Sequence, residues 1–166
     1  MSTIKKIAIV FLTLAITLSS LLLPISADST AKQPIPNNKE NIICIWEDGS
    51  YLISTFTSES VPVKASVIRI TGNQAFEYRS SDGDLQWKYV LTGVFDVTLG
   101  VAAVCIDSTY SYEIYASGWS LTDHTNSYSG NMAYGTATFK HKILFITTTT
   151  RNISAEIGCD KNGIVG

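Results

Sequence analysis

One stretch restricts the possible folds more than any other. Residues 85–98 read LQWKYVLTGVFDVT, with Trp87, Tyr89, Leu91, Gly93, Phe95 and Val97 on one parity and Lys88, Thr92 and Asp96 on the other. Successive side chains of a strand point to opposite faces, so this alternation predicts a strand with one buried face. Other β-branched and aromatic runs surround it: IICIW (42–46), YLISTF (51–56), VKASVIRIT (63–71), AFEYRS (75–80), VAAVCI (101–106), MAYGTATFKHK (132–142), ILFITTTT (143–150) and ISAEIGC (153–159). Asp48-Gly49 and Asp82-Gly83 separate two pairs of these runs, a strong hairpin signal. Gly72-Asn73, Leu99-Gly100, Ala116-Ser117-Gly118 and Arg151-Asn152 read as further breaks, and SLTDHTNSYSGN (120–131) as a long polar loop. The pattern predicts about seven to ten short strands in an antiparallel sandwich or barrel. A parallel α/β fold would need helical crossovers, and no convincing amphipathic helix is present. The aromatics and cysteines favour an immunoglobulin-like two-sheet sandwich over residues 42–166, although the immunoglobulin Cys–Trp–Cys spacing is not matched.

The first 27 residues have a different character. Lys5 and Lys6 precede an uncharged apolar run at 7–23, Pro24 breaks it, and Ile25-Ser26-Ala27 offers a small residue for cleavage. That is the layout of a secretory signal peptide, with an uncleaved anchor as the alternative. Residues 28–41 are polar, carry Pro34 and Pro36, and read as a flexible lead-in. The expected product is a secreted single domain with no membrane attachment after cleavage. Without Lys5 and Lys6 the chain has 10 basic and 14 acidic residues and no basic cluster, which speaks against a nucleic-acid partner.

Three cysteines remain, Cys44, Cys105 and Cys159. All three pairings are open from sequence alone. Cys105 and Cys159 each continue the apolar parity of a strand, and a bridge between them is favoured. It would close a loop of about 55 residues, worth roughly 4 kcal/mol in the chain-entropy model.

Chemistry-bearing candidates are few. His124 lies beside Asp123 and near Ser127, the raw material of a hydrolase, but no G-x-S-x-G elbow exists and the neighbours are adjacent in sequence. His141, between Lys140 and Lys142, reads as an outward-facing strand residue. Asp82, Asp84, Asp160 and Asn162 supply oxygen ligands in Asp-Gly-type turns, but the bidentate Glu of a calcium loop is missing. No cofactor and no metal are expected. Trp119 and Tyr128 flank the polar interval and are the candidate ligand-binding residues, as a stacking platform for sugar rings or a protein hot spot.

The segments LTGVFDV, CIDSTYSYEIY, SGNMAYG and CDKNG, within about 91–163, resemble small exported proteins of unknown function from Gram-positive, gut-type bacteria. The resemblance agrees with a paired Cys105 and Cys159 and transfers no catalytic or binding residue. The reading is therefore a non-enzymatic extracellular protein that binds an unknown protein or glycan or makes a structural contact at the cell surface. The alternatives are a glycan-binding module using Trp119 with nearby tyrosines, and a secreted hydrolase using His124.

Overall fold

The computed structural model describes residues 41–64 and 66–166. The leader and all of the lead-in but Asn41 lie outside the described residues. Eight strands follow one another: β1 (Asn41–Ile45), β2 (Tyr51–Lys64), β3 (Val67–Arg79), β4 (Leu85–Thr98), β5 (Ala102–Ile114), β6 (Trp119–Ser129), β7 (Met132–Ile143) and β8 (Ile146–Gly158). Strands β1 to β5 form one antiparallel sheet in chain order, and β6 to β8 a second.

The two sheets pack face to face as an antiparallel β-sandwich. The alternating row of β4 is its floor: Trp87, Tyr89, Leu91, Phe95 and Val97 are all fully buried. Above them lie Ala133, Ala137 and Phe139 of β7 and Ile153, Ala155 and Ile157 of β8. The small residues in the middle of β7 leave room for the large rings of β4, and bulk sits at the ends of the layer. Polar links cross between the sheets. Gln74 accepts a hydrogen bond from the Glu156 amide (3.1 Å), and Asn126 donates to the Ser108 carbonyl (2.5 Å).

The immunoglobulin-like arrangement is not found. That fold depends on Greek-key connections, whereas here every paired strand is a sequence neighbour. The described residues form a meander that changes sheet once, between β5 and β6.

Three expected breaks are strand interiors. β3 runs through Gly72-Asn73. A Cβ on Gly72 would lie 2.7 Å from Val165 Cγ1 and 3.2 Å from Ile157 Cγ2, so this glycine serves a close approach rather than a turn. β8 runs through Arg151-Asn152, and the polar interval 120–131 is mostly β6. β6 is an edge strand whose outer face meets solvent, so a polar sequence suits it.

The expected Cys105–Cys159 bridge is also absent, and all three cysteines are free thiols. Cys105 and Cys159 do come near each other, because their amides donate to the adjacent carbonyls of Gly130 and Asn131. Each thiol instead turns to its own backbone: Cys105 Sγ to the Asp107 carbonyl (3.3 Å) and Cys159 Sγ to the Asp160 carbonyl (3.6 Å). Burial holds both thiols neutral, with Cys159 pushed up to about 11.

Candidate functional site

One end of the sandwich gathers its aromatic residues. The β1–β2 turn carries Trp46, Asp48 and Ser50. Tyr78 comes from β3, Trp87 from β4, Trp119 from the first position of β6, Phe139 and His141 from β7, and Arg151 from β8. Register explains the convergence: Trp119 pairs with His141, and Tyr78 with Trp87. Trp87 is sandwiched, parallel to Phe139 at 4.0 Å on one face and to Tyr78 at 5.1 Å on the other. Trp119 meets Tyr78 edge-on at 5.1 Å and Trp87 at 6.2 Å, and Trp46 meets Tyr78 edge-on at 5.4 Å. Edge-to-face and offset contacts of this kind fix ring orientation as well as burying area.

Two depressions open on this cluster. A cleft of about 300 Å³ is lined by Tyr78, Trp119, Ser50, Gln86, His141 and Asp48, with Ser80 and Ser81 at its rim. A neighbouring groove of about 510 Å³ runs between Trp46, Glu47 and Asp48 on one side and residues 148–151 on the other. Asp48 borders both, and Arg151 lines the groove. Its guanidinium lies 4.2 Å above the Trp46 ring and 5.4 Å from that of Tyr78, and its Nη2 bonds Asp48 (3.0 Å) and Ser50 Oγ (3.3 Å). Hydrogen bonds from Ser50, reinforced by Arg151, hold the Asp48 carboxyl below its usual range. Within the aromatic cluster, Trp87 Nε1 and Arg151 Nε are buried without a protein acceptor.

Trp119, a candidate ligand-binding residue from sequence, is half-buried and forms a wall of the cleft. Tyr128 does not join it. It is half-exposed and nine positions further along β6, about 30 Å away at strand rise. His141, read as outward-facing, lies 5.2 Å from the Trp119 ring and lines the same cleft. Trp46, Tyr78, Asp48 and Arg151 were missed. Alternation places Tyr78 on the inner face with Phe76, but nothing in the sequence says which strands meet at that end.

His124 is elsewhere, on β6, where it hydrogen-bonds Tyr110 of β5 with the rings 4.3 Å apart. Its sequence neighbours Asp123 and Ser127 lie on the opposite parity of a regular strand and face away from it. Tyr110 in turn stacks on Tyr89 at 6.1 Å, whose buried hydroxyl is pushed up to about 12 by desolvation. This column closes the seam between the sheets, with the Tyr110 hydroxyl as the hydrogen-bond partner of the imidazole. At the C-terminal turn, Asp160 spends its carboxylate on the amides of Asn162 and Ile164, both at 2.8 Å.

No protein-family model, curated protein or solved structure matches this chain.

Proposed function

We propose that this chain is an exported, non-enzymatic binding domain, and that the cleft between Trp119 and Tyr78 is its ligand site, suited to a carbohydrate. The observation that carries the reading is a preformed concavity of about 300 Å³ that joins two aromatic rings to hydroxyl, amide, imidazole and carboxylate groups. Ligand sites are typically concave, with aromatic walls and a few polar groups that fix orientation. A pyranose presents an apolar C–H face for Trp119 and a hydroxyl rim for Gln86, His141 and Asp48, while the buried Tyr78 and Ser50 form the floor. Both sheets contribute walls to the site. Lys5, Lys6 and the apolar run behind them support the export part of the reading.

The test is a glycan array probed with the mature domain and with Trp119→Ala. Binding that Trp119→Ala weakens about tenfold or more and that Tyr128→Ala leaves intact is the expected outcome. Binding that survives Trp119→Ala, or that follows Tyr128, refutes the cleft as the site. Turnover of an ester, peptide or sugar substrate that is lost in His124→Ala would favour the hydrolase instead.

A further inference from the structure

The β7–β8 hairpin ends in a feature that the cleft does not explain. Ile143 pairs with Ile146, so the loop is the two residues Leu144 and Phe145, both at positive φ (45° and 70°). A two-residue hairpin turn with both φ positive is the type I′ form, for which Asn-Gly is the preferred sequence and large side chains are unfavourable. The protein instead places Leu and Phe there and exposes them almost completely: Leu144 is 85% and Phe145 98% accessible, with Ile143 at 54% and Ile146 at 69%. These four residues extend beyond the Trp119–His141 pair, where β6 begins, so the tip of the hairpin is not flanked by β6. The strained turn and the four exposed apolar side chains thus coincide at one tip.

Charge selects the occupant. No Asp or Glu occurs from 124 to 155, whereas Lys140 and Lys142 lie on the arm leading to the tip. Among the described residues neither lysine is in an ion pair, and the third cation of the hairpin, Arg151, is paired with Asp48. Of the acidic groups nearest this end, Asp48 is paired with Arg151, Glu47, Asp82 and Asp84 lie in turns of the other sheet, Glu113 lies on β5, and Asp123 lies on β6 opposite Thr138, further from the tip than either lysine. A convex apolar point with a cationic collar matches a lipid surface, where acyl chains take the point and headgroup phosphates meet the ammonium groups. A groove on a protein partner would need no such collar.

We infer that the β7–β8 tip is a membrane-docking point that inserts Leu144 and Phe145 into the interface of an anionic bilayer, with Lys140 and Lys142 on the headgroups. The test is co-sedimentation of residues 28–166 with vesicles of phosphatidylcholine containing 30% phosphatidylglycerol, and with pure phosphatidylcholine vesicles. Expected are binding to the anionic vesicles, at least about fivefold weaker binding to the neutral ones, and loss of binding at high salt. The double variant Leu144→Asn/Phe145→Gly supplies the preferred turn residues, so it should melt at a higher temperature while losing vesicle binding about tenfold or more. That pairing separates lost docking from lost folding. Trp119→Ala should bind vesicles as the parent does, which keeps this proposal distinct from the cleft. Absence of vesicle binding overturns it, as does undiminished binding by the double variant. Concentration-dependent dimerisation in ultracentrifugation that the double variant abolishes, without vesicle binding, would assign the tip to a second copy of the chain and equally overturn it.

Discussion

Phe139→Ala tests the joint that holds the two sheets together and shapes the cleft. Phe139 is fully buried in β7 and lies parallel to the Trp87 ring of β4 at 4.0 Å with an interplanar angle of 4°. Removing a buried phenyl ring costs about 3–5 kcal/mol, the sum of lost transfer energy and the cavity left behind. The stacked contact accounts for about 1 kcal/mol of that. The neighbours have little freedom to collapse into the space, because Trp87 is pinned on its other face by Tyr78 at 5.1 Å. A value in the upper half of the range follows, about 4 kcal/mol. For a domain of this size each kcal/mol lowers the melting temperature by about 3–5 °C, so a drop of roughly 12–20 °C is expected. Urea unfolding followed by tryptophan fluorescence measures it directly, with the denaturant slope unchanged if only the native state is affected. Tyr134→Ala, on the outer face of the same strand, serves as the control and should stay within about 0.5 kcal/mol of the parent. A loss below about 1 kcal/mol for Phe139→Ala would refute the packing of these two sheets through this stack.

Gly135→Ala would bring a methyl group 2.6 Å from Tyr89 Oη and 2.9 Å from Leu91 Cδ1, so it should destabilise by about 1–3 kcal/mol in the same urea assay despite being a minimal change. Arg151→Ala removes the stack on Trp46 and the partner of Asp48, and should cost about 1–2 kcal/mol; Arg151→Lys should recover less than half, because an ammonium ion cannot lie flat on the ring. Under native conditions a thiol reagent should label Cys44 quickly and the buried Cys105 and Cys159 only after unfolding, a count that mass spectrometry reads directly. The pH dependence has a defined sign. The Cys159 thiol is raised from 9.0 to about 11 by burial, so its contribution is complete below pH 9 and is lost as pH rises toward 11. Cys159→Ala should flatten the decline in stability over that window, and a parallel decline in both proteins would contradict the assignment.

The fold was legible where burial enforced alternation. All the fully buried large residues of β4 lie on the parity read from the sequence, because an inner strand with one packed face permits no other pattern. The Asp48-Gly49 and Asp82-Gly83 turns were equally clear, since their residues are chosen for the backbone they must adopt. Legibility failed where a residue serves something other than local conformation. Gly72 admits Val165, Arg151 reaches an ion pair across the sheets, and Leu144-Phe145 occupies a turn that its side chains disfavour. β6 was hidden because an edge strand of a small sheet can be polar along most of its length. The site was only partly legible for a related reason. Trp119 stood out by type, but its partners come from β1–β2, β3, β7 and β8, and only the pairing of strands and sheets brings those together.

The aromatic cleft is the proposed place where ligand binds, and its indoles can report on it. Nitrogen-labelled protein gives one indole signal for each of Trp46, Trp87 and Trp119, and titration with the array-positive oligosaccharide reports on all three at once. The expected result is a saturable shift of the Trp119 signal, a smaller one for Trp46 across the Arg151 bridge, and near-constancy of buried Trp87. Saturable binding that leaves all three indole signals in place would contradict it.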